Sequence, residues 1–338
     1  MNLYGLTKEE LEQYFVSIGE KKFKATQVFE WLYQKRVTTI EEFSNIKKEV
    51  REQLQKDFSL ELPKVIKREI DIDVEKYLFE LSDNERIEAV LMRHNYGLSV
   101  CVSSQVGCNM GCKFCESGRL KKVRNLEAHE MVGQILVIES LIKERISSVV
   151  IMGIGEPLDN YENVIRFIKI INDAKGIQIG ARHITLSTCG LIPKIKELSE
   201  LDIQINLAIS LHAPNDHLRS EIMPINKAYP LQKLMETIKE YIKKTNRRVT
   251  MEYILLKGVN DQKKHAKELA NLLRGMNVYV NLIPYNETNH IEFQKSDKET
   301  IDAFYKELQK EKIRVTVRRE FGSSISAACG QLRSKEIK

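Results

Sequence analysis

The sequence predicts an α/β protein: a partial (β/α)6 barrel preceded by a small helical N-terminal domain and a short antiparallel β segment. Three observations predict it. After residue 125, short apolar runs alternate with amphipathic helical patterns, the rhythm of parallel strands joined by helical crossovers. Between about 63 and 104 the apolar period is two, as in half-buried strands. Before residue 60 the period is helical.

Thr7-Lys8-Glu9-Glu10 reads as a capping box, in which the Thr7 hydroxyl and the Glu10 carboxylate each satisfy a backbone amide. Leu11, Phe15 and Ile18 follow at helical spacing, and Gly19 supplies a stop. Two further helices are expected at about 24–35 and 46–57. Lys64–Asp73, Glu75–Leu81, Arg86–Met92 and Leu98–Ser104 read as strands, with Ser82-Asp83-Asn84 as a turn. The first three make a small antiparallel sheet leading into the main domain. Strands are then expected at Ser148–Met152, His183–Ser187, Ile203–Leu211, Val249–Leu256, Val278–Ile283 and Ile313–Arg318. Helices are expected at about 126–145, 161–173, 191–199, 231–244, 261–274 and 297–310. A doubly wound open sheet has the same rhythm and is the alternative; both architectures put chemistry at the C-terminal strand ends. The expected division is a helical domain over 1–60, a β extension over 61–95, the barrel over 96–320 and a C-terminal segment over 321–338.

At 338 residues, 42% hydrophobic and 30% charged, the chain buries a full core without disulfide or metal staples. Six cysteines over this length do not make a disulfide scaffold. The start lacks a basic region followed by an apolar one, and no apolar run reaches the ~20 residues of a membrane span. A cytoplasmic protein with no membrane partner is expected. The net charge of +6 is modest. Its basic groups gather at Lys121-Lys122-Val123-Arg124, Lys243-Lys244, Arg247-Arg248 and Arg318-Arg319, which read as phosphate-following groups or as solvated surface.

Cys108-Asn109-Met110-Gly111-Cys112-Lys113-Phe114-Cys115 carries the strongest chemical signal. Three thiols within eight residues follow a strand and so sit at its C-terminal end. Thiolates suit iron–sulfur clusters or zinc. A structural zinc wants four protein ligands, so three in one loop fit a [4Fe–4S] cluster with one open iron. A zinc loop completed by Cys101 or His94 is the alternative. At the next strand end, Met152-Gly153-Ile154-Gly155-Glu156-Pro157 offers glycines for close backbone approach. Further strand ends supply Ser187-Thr188-Cys189-Gly190, Ser210-Leu211-His212-Ala213-Pro214 and Asn281–Asn286.

CxxxCxxC followed by this Gly-Glu turn resembles the radical S-adenosylmethionine superfamily. More specifically, the chain resembles the RlmN/Cfr RNA adenosine methyltransferases. The matching segments are Cys101–Cys108, the cysteine loop, Arg124-Asn125-Leu126, Met152–Pro157, Leu186–Gly190, Ser210–Asp216, Met223-Pro224-Ile225-Asn226, Gly258–Asp261, Asn281–Asn286 and Ala327–Leu332.

The resemblance implies a radical barrel fold, a [4Fe–4S] cluster on Cys108, Cys112 and Cys115, and S-adenosylmethionine at Gly155, Glu156, Ser187, Ser210, Leu211, His212 and Asn286. It implies that Cys329 carries the methyl group, that Cys101 resolves the enzyme–RNA adduct through a disulfide reduced by external thiols, and that Glu88 removes the ring proton. Alternation alone makes Glu88 an exposed strand carboxylate. Cys189 takes no role. The implied reaction is methylation of C2 of an adenosine in 23S rRNA, with tRNA as a second substrate, by a monomer served by an external electron donor. Pro157 and Leu207–Ser210 resemble the C2 branch; C8 methylation, which confers antibiotic resistance, is the alternative. Glu116-Ser117-Gly118-Arg119 and Ser323-Ser324-Ile325-Ser326 depart from the family pattern near the implied RNA entrance. A zinc-stabilised RNA-binding protein without catalysis is the reading from a different class.

Overall fold

The structure, a computed structural model, describes residues 1–288, 291–318, 327 and 330–332. Helices α1 (Lys8–Ser17), α2 (Phe23–Phe29) and α3 (Lys48–Asp57) form the N-terminal layer. The expected capping box closes α1: the Glu10 amide donates to Thr7 Oγ1 at 3.2 Å and the Thr7 amide to Glu10 Oε2 at 2.9 Å. The helix expected at 24–35 is not uniform. It widens after Phe29 into a π turn over Glu30–Gln34.

Strands β1 (Lys64–Ile70), β2 (Val74–Glu80), β3 (Arg86–His94) and β4 (Gly97–Cys101) pair antiparallel in sequence. A short ribbon, β5 (Gln105–Val106) with β6 (Arg124–Asn125), follows. The β/α units then run α4 (Ala128–Ile142), β7 (Ser148–Ile151), α5 (Tyr161–Asn172), β8 (Ile184–Thr188), α6 (Ile192–Leu198), β9 (Asn206–Ser210), α7 (Asp216–Ile222), α8 (Leu231–Thr245), β10 (Val249–Leu255), α9 (Lys263–Leu273), β11 (Val278–Pro284), α10 (Lys298–Lys310) and β12 (Val315–Val317).

Ten strands make one sheet in the order β1-β2-β3-β4-β7-β8-β9-β10-β11-β12. From β4 onward every pairing is parallel. The order never reverses, so the doubly wound alternative, which needs a reversal at a switch point, is excluded. Right-handed crossovers that always step the same way lay the helices along one face, which is the winding of a partial barrel. The antiparallel segment is an extension of this same sheet.

One apolar core joins the layers. Leu3, Phe15, Phe29, Leu32 and Phe43 of the N-terminal part pack in the same cluster as Met131, Val132 and Ile135 of α4. Lys8–Asp173 at 2.8 Å and Arg166–Glu10 at 2.8 Å pin the edges of this contact. Among the described residues no helix is long and apolar enough to cross a membrane.

The exposed position that strand alternation alone gives Glu88 is overturned: it is only 3% exposed. Strands β2 and β3 are covered on both faces, so alternation does not separate core from solvent there. The burial is compensated by Lys76, equally buried, whose Nζ lies 3.5 Å from Glu88 Oε1 and 2.9 Å from Glu69.

Candidate active site

Beyond β4 the chain runs through Val102–Gln105 and is laced to the turn after β7. The Gly153 amide donates to the Val102 carbonyl at 3.0 Å, and the Ser104 amide to the Ile154 carbonyl at 2.9 Å. Ser103 Oγ donates to the Glu88 carbonyl at 2.6 Å and accepts from the Ile154 amide at 2.9 Å. This contact is why both glycines are needed. A Cβ on Gly153 would lie 2.7 Å from Ser103, and one on Gly155, at φ +106°, 2.6 Å from Gln105.

The β5–β6 ribbon pinches the base of the cysteine loop. Above it, the Cys108 amide donates to the Leu120 carbonyl at 3.1 Å. Gly107, at φ +73°, passes so close to Lys121 that any side chain would strike its carbonyl. The loop also docks on α7, through the Lys113 amide and the Ile222 carbonyl at 3.0 Å.

Cys108, Cys112 and Cys115 face one cleft, shared with Gly155, Glu156, Ser187, Ser210 and His212. The cleft holds ≈ 940 Å³ of space, part of it open to solvent, which suits a cofactor-sized ligand. Burial pushes the Cys108 thiol up to about 12 and raises Cys112 and Cys115 further from ionisation. Charge on Cys115 also raises Cys108, and charge on Cys108 and Cys115 raises Cys112. Three such thiolates are stable together only around a strongly cationic group, and a bound metal deprotonates its thiol ligands outright. The residues present therefore fit a thiolate-held inorganic cluster.

The zinc alternative does not fit. Among the described residues no three His, Cys, Asp or Glu side chains converge as a single metal ion requires. His94 sits at the opposite end of β4, bonded to Ser99 Oγ at 3.0 Å and stacked on Tyr96. Cys101 packs with Val90 and Val150, away from the cysteine loop.

Glu156 is a strut. Its carboxylate accepts the Leu158 amide at 3.0 Å and the Cys189 amide at 2.8 Å, tying the ends of β7 and β8 together. Burial raises its pKa, against those hydrogen bonds. Ser187 and Ser210 lie side by side on β8 and β9, with Oγ atoms 3.4 Å apart. His212, at φ +57°, accepts the Ile254 amide on Nδ1 at 3.1 Å. Burial, then the Arg219 charge, lowers its pKa to about 3, so the ring is neutral and its other nitrogen carries the proton. Phe114 of the cysteine loop packs edge-on against it, centroids 4.8 Å apart.

Not every expected residue lines the cleft. Leu211 is fully buried and contributes backbone, its amide donating to the Glu252 carbonyl at 3.0 Å. Asn286 is half-buried beyond the end of β11. Glu88 and Cys101 stand on β3 and β4, outside the cleft lining. Cys329 lies outside the described residues, as do Arg319 and Ser323–Ser326. The flanks of Cys329 are described. The Glu116 amide donates to the Gly330 carbonyl at 2.8 Å, and Ser117 Oγ to the Leu332 carbonyl at 2.8 Å. Ala327 and Leu332 share a hydrophobic cluster with Val90, Met92 and Cys101. No disulfide joins the five described cysteines.

Sequence reasoning missed Glu252 and Arg219, and placed Arg318 on a different surface. Glu252 is buried on β10 at the cleft, held by Asn281 Nδ2 at 2.8 Å. A carboxylate inside an apolar strand run was the available signal. Arg318, expected on a phosphate-binding surface, lines the same cleft.

The other basic groups are also placed differently from a surface stripe. Arg124 is held by Asp83 at 2.6 Å and Glu130 at 2.8 Å, and Lys122 by Asp159 at 2.7 Å. Lys243–Arg248 joins α8 to the start of β10, at the barrel end opposite the cleft. Lys113 and Lys121 remain exposed beside the cysteine loop.

Comparison with known proteins agrees with this geometry. Residues 1–60 match the ribosomal RNA large subunit methyltransferase N-terminal domain, and residues 102–270 the radical SAM superfamily. A "Probable dual-specificity RNA methyltransferase RlmN" of Enterococcus faecalis is 55% identical, covering 100% of this chain and 97% of the relative. Its counterpart in Spiroplasma citri is 53% identical, over 99% and 97%. The crystal structure of a radical SAM methyltransferase from Sphaerobacter thermophilus superposes with a TM-score of 0.93 at 40% identity, covering 99% of this chain and 100% of that one. With relatives this similar over its full length, a three-thiol loop at the mouth of a sequentially wound barrel and a matching N-terminal domain, the chain belongs to the RlmN family of radical SAM RNA methyltransferases.

Proposed function

We propose that the enzyme methylates C2 of an adenosine in 23S rRNA and in tRNA, through a methyl group carried on Cys329. The observation that carries this reading is the docking of the segment around that cysteine. Gly330 and Leu332 bond to the turn directly after Cys115, while Ala327 and Leu332 pack with Cys101. The flanks of the carrier thus touch both the cysteine loop and the resolving thiol.

In this reading Cys108, Cys112 and Cys115 hold a [4Fe–4S] cluster. Gly155, Glu156, Ser187, Ser210, Leu211, His212 and Asn286 form the S-adenosylmethionine site. Bound there, the two groups supply a methyl group and a hydrogen-abstracting radical, the step that an unreactive ring carbon demands. Cys329 accepts the methyl as a thioether and presents it to the adenine. Glu88, with Lys76 3.5 Å away, takes the ring proton. Once the carrier carbon is bonded to the ring and the adduct has lost the ring proton and one electron, the Cys101 thiolate attacks the Cys329 sulfur. The sulfur–carbon bond breaks with its electron pair left on the carbon, that carbon takes a proton and becomes the methyl group, and external thiols reduce the Cys101–Cys329 disulfide. The dual specificity in the relatives' names supports two RNA substrates. We place the reaction in the cytoplasm, in a monomer with an external electron donor.

Expression in a host lacking its own enzyme, followed by mass mapping of methylated adenines in rRNA and tRNA, tests the proposal. 2-Methyladenosine in both RNAs is expected. 8-Methyladenosine assigns the chain to the antibiotic-resistance chemistry instead, and no methylated adenine refutes the reading.

A further inference from the structure

Among the described residues Arg219 is the largest fully buried side chain, 0% exposed. Its Nε donates to the Leu211 carbonyl at 3.2 Å and its Nη1 to Asn226 Oδ1 at 2.8 Å. Its Nη2 donates to the Cys189 carbonyl at 2.6 Å and reaches the Ser210 carbonyl at 3.4 Å. The guanidinium thus ties together the chain leaving β8 and β9, directly beneath the cleft. All four acceptors are neutral, and among the described residues Arg219 makes no ion pair. Asp216 stands one residue removed. Its Oδ1 accepts Asn226 Nδ2 at 2.7 Å and the Leu231 amide at 2.8 Å, so it polarises Asn226 and does not touch the cation.

A buried charge without a contacting counter-ion is costly, and native proteins place an anion near it. The packing of α7 brings this cation to the cysteine loop. The end of α7 bonds to the cysteine loop through Ile222 and Lys113. Met223, which follows, packs in one cluster with Cys112, Phe114, Cys115 and Cys189. Cys189, whose carbonyl accepts Arg219 Nη2 at 2.6 Å, belongs to that same cluster, so the guanidinium lies against the packing that holds Cys112 and Cys115.

We propose that Arg219 is the counter-charge of the thiolate-held cluster and sets the reduction potential at which the external donor delivers its electron. This rests on the reading that Cys108, Cys112 and Cys115 hold that cluster. Reduction adds one electron and makes or breaks no bond to the protein. A fixed cation in a low-dielectric interior therefore stabilises the reduced form more than the oxidised form. The arrangement also gives one purpose to two separate sequence segments. Asp216 and Arg219 sit on α7, and Asn226 in Met223-Pro224-Ile225-Asn226 links them.

The test uses the full chain, reconstituted anaerobically with iron and sulfide, as wild type, Arg219→Gln, Arg219→Lys and Asp216→Asn. Iron and sulfide content are measured, and the midpoint potential is read by dithionite titration followed by electron paramagnetic resonance. Arg219→Gln is expected to keep its cluster and shift to lower potential, Arg219→Lys to stay near wild type, and Asp216→Asn to shift to higher potential. Arg219→Gln with a full cluster at the wild-type potential overturns the proposal. Should that variant fail to fold, an unmoved potential in Asp216→Asn overturns it equally. A wild-type chain that takes up no iron sinks the cluster reading itself, so the two failures are distinct.

Discussion

The amide of Glu116 donates to the carbonyl of Gly330 across 2.8 Å. This bond, with Ser117 Oγ to Leu332, fixes the segment next to Cys329 against the residue after Cys115. Ser117→Ala removes one of the two ties, worth about 0.5–1.5 kcal/mol. Methylation is expected to slow several-fold while iron content and melting temperature stay near wild type. Rates and iron assayed on one preparation check this.

Cys112→Ala is expected to abolish iron binding and methylation together. Gly118→Ala tests the same loop without touching a thiol. Its Cβ would sit 2.7 Å from the Cys112 carbonyl oxygen, so the loop must shift and iron content fall well below wild type. Full iron and full activity in Cys112→Ala would remove the loop from the reaction.

Cys101→Ala separates a resolving thiol from a packing one. As a resolving thiol, its loss leaves methyl transfer to Cys329 and addition to RNA intact, and an RNA–protein adduct accumulates that survives denaturing electrophoresis. As mere packing against Val90 and Val150, its loss gives mild destabilisation and normal product. Cys329→Ala is expected to show no adduct.

His212 makes stability depend on pH in a known direction. The unfolded imidazole takes its proton near 6.5, whereas in the fold it does so only at about 3. Between these values the unfolded chain binds the extra proton. Stability is therefore complete above pH 6.5 and falls as pH drops towards 3. Wild type should lose about 2 kcal/mol more than His212→Asn between pH 7 and pH 5, measured by urea unfolding. Asparagine tolerates the left-handed backbone at this position.

Lys113 and Lys121 are exposed cations beside the loop, as is Arg119. Reversing both lysine charges should weaken RNA binding and lower the salt slope by about one to two. Arg124→Ala should act differently, because its charge is already spent on Asp83 and Glu130. It leaves the Glu130 carboxylate buried and should cost about 1–3 kcal/mol of stability, with a salt slope near wild type. Filter binding at several salt concentrations and a melting curve distinguish the two effects.

The contiguous signals were legible. Cys108, Cys112 and Cys115 sit in one loop, and the Gly153–Glu156 turn follows one strand, so sequence order alone brings them to the same mouth. What escaped depends on partners far along the chain. Lys122 and Arg124 look like a basic cluster until Asp159 and Asp83 arrive from other elements. Glu88 looks exposed until both faces of β3 are covered. Arg219 sits on a seven-residue helix with no apolar stripe, so nothing local marks it as buried. Three of its four partners are backbone carbonyls, which sequence patterns do not display.

The bond from Ser117 to Leu332 joins residues 215 apart in the chain. During synthesis each β/α unit can settle on its predecessor as it emerges, because the parallel strands pair in sequential order. The cysteine loop is made early and waits through seven further strands, β6 to β12, for its docking partner. A nascent chain thus carries the three-thiol loop well before it carries residues 330–332. Docking of residues 330–332 on that loop therefore closes only when nearly the whole chain has been made.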